Sequence, residues 1–201
     1  MKQPEIKIYT GKIQQWTSDI SECKNRESIC GHRLLAYGLW ERHRKDLPGN
    51  IQRADELYAC LEGMIEKGIH GKPYFREYPQ IHFNISHSGE YGACALSSVP
   101  CGLDIQEVRK IRSRRLLERV LSEEEMKIVQ SHENREREFC RFWTRKESFL
   151  KLSGEGITRP MNALEEPEWF EEFLVDQHVL GCVSAYQTCK VTIQEVEYAV
   201  F

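Results

Sequence analysis

No apolar run in this 201-residue chain reaches the roughly 18 residues that a membrane-spanning helix needs. The opening Met1-Lys2-Gln3-Pro4-Glu5-Ile6-Lys7 lacks the apolar core of a secretory signal. The eight cysteines contain no Cys-x-x-Cys pair. Membrane insertion, export and a cysteine-ligated metal cluster are therefore not expected, and the cysteines read as reduced, buried thiols of a cytoplasmic protein. Neither sign of charge dominates. With 28 Lys and Arg against 31 Asp and Glu the formal charge is −3, so attraction to a charged partner must come from a local patch. A Walker loop, a protein-kinase motif set and a dinucleotide-binding glycine fingerprint are all missing. Disorder is excluded too: 40% hydrophobic and 29% charged residues describe an ordinary globular chain.

Length allows one large core or two halves of about 100 residues each. Glu5 to Tyr9 alternates as a strand, and Ser28 to Arg44 carries a helical stripe of Ile29, Leu34, Leu35, Leu39 and Trp40. Asp46-Leu47-Pro48-Gly49-Asn50 ends that helix, a second covers Gln52 to Met64, and Gly68 to Pro73 reads as a loop. Ile81–Ser86 and Tyr91–Ser97 predict a hairpin, followed by a strand at Cys101-Gly102-Leu103-Asp104-Ile105-Gln106-Glu107. A basic tract from Arg109 to Arg119 enters a helix. Ser122 and Glu125 have the spacing of a capping box. The longest helix runs from about Glu136 to Leu152 and stops at Ser153-Gly154-Glu155-Gly156. Val179–Tyr186 and Val191–Ala199 read as a final β pair. Cys94, Cys101 and Ile105-Gln106-Glu107-Val108 recur at one constant offset as Cys182, Cys189 and Ile193-Gln194-Glu195-Val196. The repeat predicts an α+β fold of two similar halves, 1–100 and 101–201. Asp104 in the first copy is matched by Thr192 in the second, so only one copy carries an acid there.

In the strand 101–107, Leu103 and Ile105 share one face and Asp104 and Gln106 the other. A carboxylate and an amide oxygen two residues apart suit a hard cation such as Mg²⁺, though an ordinary half-buried strand has the same pattern. On the helix 139–151, Lys146 lies within the apolar stripe of Phe139, Phe142, Trp143, Phe149 and Leu150. Glu147 and Lys151 flank the stripe four residues apart. These read either as a surface ion pair with a snorkelling lysine or as a carboxylate and two ammonium groups lining a phosphate site. Gly71-Lys72-Pro73 puts a lysine on a stiffened loop. Asn84-Ile85-Ser86-His87-Ser88 ends a strand in hydroxyl and imidazole groups that either cap the turn or meet a ligand. Arg33 lies off its helix's main stripe and reads as solvated. One acid on a strand, one on a helix and several cations together suit a pyrophosphate with its Mg²⁺.

His82-Phe83-Asn84-Ile85-Ser86-His87-Ser88-Gly89, Gly102-Leu103-Asp104-Ile105 and Phe142-Trp143-Thr144-Arg145-Lys146-Glu147-Ser148-Phe149-Leu150-Lys151 stand in the order and spacing of the Sfp-type 4′-phosphopantetheinyl transferases. Gly71-Lys72-Pro73 lies upstream and Gly154-Glu155-Gly156 downstream, as in that family. The chain resembles the family closely from Gly71 to Ile157 and loosely elsewhere. The resemblance implies two similar α+β halves related by a pseudo-two-fold axis, with the site between them. It implies transfer of the phosphopantetheine arm of coenzyme A to a serine of an acyl or peptidyl carrier protein. Asp104 and Glu147 match Mg²⁺ ligands, Glu147 also the general base. Lys72, Pro73, Ser86 and His87 match the coenzyme A phosphate site, chiefly at the 3′-phosphate, with His87 also near the pyrophosphate. Lys151 matches the lysine that stabilises the transition state on the pyrophosphate. Lys146 matches a lysine whose part is left between pyrophosphate binding and structure, and Arg33 an arginine near the 3′-phosphate. Gln106 stands where bacterial members often have Glu, which predicts weaker Mg²⁺ binding with activity kept. The tract at Arg109, Arg112 and Arg115 is expected to dock an acidic carrier. Two halves in one chain predict a monomer. A non-catalytic relative that binds coenzyme A or a carrier is the alternative, against which the intact Asp104, Glu147 and Lys151 count. Nucleic acid is not expected as a partner, because no aromatic platform accompanies the basic tract.

Overall fold

The alternation at the start of the chain forms a strand in the computed structural model, which describes residues 3–20, 25–47, 51–156, 160–165 and 167–201. That strand, β1 (Glu5–Lys12), runs into a single helical turn, α1 (Ile13–Trp16). Two longer helices follow, α2 (Arg26–His43) and α3 (Ala54–Met64). The expected stop signal Pro48-Gly49-Asn50 lies outside the described residues, as does Cys23. The segment expected as a loop is flanked by a short hairpin, β2 (Ile65–Lys67) and β3 (Pro73–Phe75), with Gly71 at φ 84° in its turn. Next come β4 (His82–Ser88) and β5 (Tyr91–Ser97), the predicted hairpin, and β6 (Cys101–Glu107).

The basic tract leads into α4 (Arg114–Val120), capped by the Ser113 hydroxyl. Helix α5 (Glu123–Ser131) opens with both bonds of the Ser122–Glu125 capping box formed. Helix α6 (Arg135–Ser153) is capped by Asn134 at one end and by Gly154 in the left-handed conformation (φ 71°) at the other. The chain finishes with β7 (Trp169–Leu174), which the pattern did not reveal, β8 (Val179–Ala185) and β9 (Lys190–Glu195).

The strands form two main sheets. One has the order β4-β5-β1-β9, the other β6-β8-β7. The expected final β pair is corrected here: β8 lies in the second sheet, whereas β9 runs parallel to β1 in the first, with Ile6 opposite Val191. The offset that carries Cys94 to Cys182 carries β5 onto β8 and β6 onto β9. In both copies the chain leaves one sheet after the first strand and enters the other with the second. A boundary at residue 100 therefore does not divide the sheets.

Three apolar clusters hold the layers. Tyr9, Cys94 and Leu96 on one face of the first sheet pack against Cys30, Leu34 and Leu35 of α2 and Leu57 and Leu61 of α3. The opposite face, with Ile6, Ile8, Ala93 and Ala95, shares a core with Leu103, Ile105, Val179 and Val183 of the second sheet. Val120, Leu121, Val129, Phe142 and Leu150 join α4, α5 and α6.

Where the edges of the two sheets meet, side chains replace a backbone ladder. Leu103 N–H donates to Asn84 Oδ1 (3.0 Å), Ile105 N–H to Ser86 Oγ (3.2 Å) and Glu107 N–H to Ser88 Oγ (3.0 Å). Alternate positions of β4 thus meet alternate positions of β6, and every outward donor in that stretch is satisfied. Helix α6 lies across the other face of β6. A side chain at Gly102 would collide with Ser148 O and with the Leu152 backbone, so the close approach of helix to strand requires glycine there. Seven cysteines among the described residues are free thiols, all buried except Cys60.

Candidate active site

The close approach at Gly102 brings the polar face of β6 against α6. Asp104 projects from that face and is 6% exposed. Its Oδ1 accepts from Lys151 Nζ at 2.8 Å and from the Ser86 hydroxyl at 2.8 Å. Lys151 Nζ also donates to Ser86 Oγ at 3.0 Å, closing a triangle of strand β4, strand β6 and helix α6. The other oxygen, Asp104 Oδ2, is buried without a partner among the described residues.

Burial raises the Asp104 pKa; Lys151, Ser86 and nearby His87 pull it back only in part. Burial raises that of Glu147 as well, and the Asp104 charge adds to this while Lys151 opposes it. Two carboxylates held at a cost in each other's field, one with a bare oxygen, form an arrangement that a hard cation relieves. Among the described residues no set of three or more His, Cys, Asp or Glu side chains gathers as a metal cage. Mg²⁺ takes one or two carboxylates and fills its remaining positions from substrate phosphates and water, and Asp104 and Glu147 are carboxylates of that kind.

Glu147 and Lys151 line a cleft of about 260 Å³ with His70, Gly71, Lys72, Pro73 and Asn84. A second cleft of about 270 Å³ is bounded by Tyr74, His82, Phe83, Cys101 and Ser153. Lys72 lines both. Its ammonium donates to Leu152 O (2.8 Å) and Cys101 O (3.3 Å), so it ties the β2–β3 hairpin to the end of α6 and the start of β6. Burial lowers its pKa. His82 was not singled out from the sequence; burial and the Lys72 charge lower its pKa. Its only signal was its place at the head of the His82–Gly89 motif.

A family model described as ACPS, the 4′-phosphopantetheinyl transferase superfamily, matches residues 100–187. That span contains Asp104, Glu147 and Lys151. The chain is 39% identical over 107 residues to the 4′-phosphopantetheinyl transferase psf-1 of Bacillus pumilus, covering 51% of this chain and 46% of that protein. It is 38% identical over 114 residues to a 4′-phosphopantetheinyl transferase of Bacillus subtilis, covering 55% and 50%. With the 4′-phosphopantetheinyl transferase Sfp of Bacillus subtilis (strain 168) it shares 33% identity over 173 residues, 83% of this chain and 70% of that protein. The chain belongs to the 4′-phosphopantetheinyl transferase superfamily. It spans about half the length of the first two relatives.

Within this superfamily frame, the remaining expected residues fall in three groups. His87 is exposed, and strand alternation puts it on the face of β4 opposite Ser86, close enough to influence Asp104. Pro73 opens β3 and borders both clefts.

Gln106 shares a face with Asp104, but its amide donates to Glu107 O (3.3 Å), and it lines a separate cleft of about 320 Å³ with Arg109, Lys110, Arg112, Phe139 and Trp143. The metal role expected for it gains no support from that placement. Arg112 and Arg115 are exposed, and Arg109 pairs with Glu107 at 2.6 Å.

Of the two parts left open for Lys146, its placement favours structure: its ammonium donates to Glu125 Oε2 (2.6 Å), Val120 O (2.8 Å) and Met161 O (3.0 Å), using all three protons. One expectation is corrected: Arg33 is 7% exposed rather than solvated. It grips Asp19 with both terminal nitrogens (2.7 and 2.8 Å) and lies over the rings of Tyr58, Tyr198 and Phe201.

Proposed function

We propose that the chain transfers the 4′-phosphopantetheine arm of coenzyme A to a serine of an apo acyl or peptidyl carrier protein, with release of adenosine 3′,5′-bisphosphate. The observation that carries this reading is the Asp104 carboxylate: Oδ1 held by Lys151 and Ser86, Oδ2 bare, beside a cleft that Glu147 and Lys72 also line.

Asp104 and Glu147 would hold Mg²⁺, which when bound neutralises pyrophosphate oxygens. The chain's own residues supply the rest. Glu147, made more basic by burial and by Asp104, accepts the proton of the carrier serine. The serine oxygen bonds to the β-phosphorus while the bond from that phosphorus to the bridging oxygen breaks, and the electron pair leaves with the 5′-phosphate of the nucleotide. Lys151 faces the charge that develops there, and its contacts with Asp104 and Ser86 hold it in place before the reaction. Lys72 adds a cationic group and His87 an imidazole for the other phosphates. Arg109, Arg112 and Arg115 form a basic surface next to Gln106, on the strand that carries Asp104, suited to an acidic carrier.

Incubation with coenzyme A, Mg²⁺ and an apo carrier protein tests the reading. A mass gain of one phosphopantetheine on the carrier serine is expected with the parent and not with Glu147→Gln. Coenzyme A binding without any mass gain would favour a non-catalytic relative instead.

A further inference from the structure

Charges of both signs meet on the rim of the cleft beside Gln106, whose apolar wall includes Phe139 and Trp143. Lys110 and Arg112 line that cleft as exposed residues, and neither has an ion-pair partner among the described residues. Arg109 differs. Its Nε–H donates to Glu107 Oε2 at 2.6 Å, so one of three cations on the rim is already neutralised. Glu107 is itself held in place. Its N–H is bonded to Ser88 Oγ, the N–H of Val108 to His178 O, and its carboxyl group lies against Gly89 in the β4–β5 turn. A Cβ at Gly89 would stand 3.0–3.3 Å from the three carboxyl atoms, and φ there is 57°. Glycine thus makes the turn and leaves the carboxylate its seat. The pair is largely exposed, with Arg109 64% and Glu107 35% accessible in their side chains. Such a pair adds little to stability; its effect is on what approaches.

We propose that Glu107 determines how this surface meets its partner: by holding Arg109 in the free chain, it leaves Lys110 and Arg112 to dock an acidic carrier and keeps Arg109 from adding to the attraction. The inference rests on the reading of this surface as the carrier's docking site. A carrier carboxylate that approaches Arg109 meets the Glu107 charge at the same time, a repulsive element set beside the attractive ones. Attraction by charge alone is held down, so a partner gains correspondingly more from an apolar side chain placed on the wall of Phe139 and Trp143.

Fluorescence anisotropy of a labelled apo acyl carrier protein of net negative charge, titrated with the full chain in the absence of coenzyme A, tests it. Glu107→Gln should tighten binding about threefold at low salt, the scale of one exposed ion pair, and the gain should fade as salt is raised. In turnover with coenzyme A the same variant should lower the KM for the carrier and leave kcat unchanged. Arg112→Gln should weaken binding, and Arg109→Gln should weaken it less. Adding Arg109→Gln to Glu107→Gln should remove the gain, because the gain comes from the released guanidinium. Glu136→Gln takes the same charge from the same cleft without releasing Arg109, and should gain less than Glu107→Gln.

An equal gain in Glu136→Gln would overturn the proposal by making the effect one of net charge. A gain that survives in the Glu107→Gln, Arg109→Gln double variant would overturn it by showing that Arg109 is not what Glu107 restrains. A parent that binds and modifies the carrier, while Glu107→Gln binds it no more tightly, would sink the role of Glu107 alone. If Arg112→Gln and Lys110→Gln both bind and modify the carrier as the parent does, docking lies elsewhere, and the proposal falls while the transferase reading stands. A parent that neither binds nor modifies a carrier would sink both.

Discussion

Lys146 and Lys151 stand five positions apart on α6, which separates their side chains by about 140° around the helix. One faces the cleft, the other the corner where α4 meets α5. Lys146 holds the same Glu125 oxygen that accepts from Ser122 N–H in the capping box, so one carboxylate closes the turn and neutralises the buried ammonium. Lys146→Met would leave Glu125, Val120 O and Met161 O facing an apolar side chain. The expected loss is about 3 kcal/mol, as for one partner removed from a buried ion pair, read from guanidinium unfolding; a midpoint equal to the parent's would refute it.

Sequence alone presented Lys146 within an apolar stripe and Lys151 on its flank, and nothing in the spacing says which anion each one meets. The same applies to Arg33, whose partners Asp19, Tyr58, and Tyr198 with Phe201 come from three separate segments. Asp104 was legible because strand alternation is strict: a residue between Leu103 and Ile105 has to face away from their core. Gln106 follows the same alternation, and Gln106→Glu would place a second acid on the Asp104 face. It should tighten Mn²⁺ binding and keep turnover; an inactive variant beside an active parent would contradict this.

At the scale of elements, punctuation was readable and partnership was not. The Ser122 capping box, the Gly154 stop and the β4–β5 hairpin each depend on residues within a few positions of one another. Strand β7 escaped notice because Trp169-Phe170-Glu171-Glu172-Phe173-Leu174 does not alternate cleanly. Glu172 sits in it half-buried, held by Arg141 and Arg145 of α6. Strand β9 was assigned to the wrong neighbour because its partner, β1, begins the chain, and no local pattern records so distant a pairing.

The contact of α6 with β6 is the element-level feature on which the site depends most. A methyl group at Gly102 meets backbone atoms of Ser148 and Leu152, which cannot rotate away. Gly102→Ala should therefore push the end of α6 outward, lowering stability by about 1–3 kcal/mol and stretching the Lys151–Asp104 contact. Thermal unfolding and Mn²⁺ titration should both register the change; normal metal affinity in a destabilised variant would place the strain elsewhere on the helix.

The whole molecule is closed by its own ends. Val196 N–H donates to Thr10 O, Trp16 Nε1–H donates to Val196 O, and Phe201 packs on Trp16 beside Arg33. With β9 in the first sheet and a core shared between the sheets, neither half can lose its structure and leave the other's core intact, so a single unfolding transition is expected. Acid should act on both halves together. Asp19 is held below its ordinary pKa chiefly by the Arg33 hydrogen bonds. For Glu172 burial pushes upward, but the bonds from Arg141 and Arg145 outweigh it and the net shift is downward. A carboxyl group with a depressed folded pKa contributes stability that is complete above its unfolded value and is lost as pH falls through the folded one. Stability should accordingly hold down to the ordinary Asp and Glu range, 3.8 to 4.5, and decline below it. Glu172→Gln should flatten that decline. Circular dichroism and tryptophan fluorescence should give one midpoint at each pH, because Trp16 and Trp169 report from opposite sheets of the same cooperative unit. Two separated midpoints at low pH would show that the exchange of strands between the sheets does not couple them.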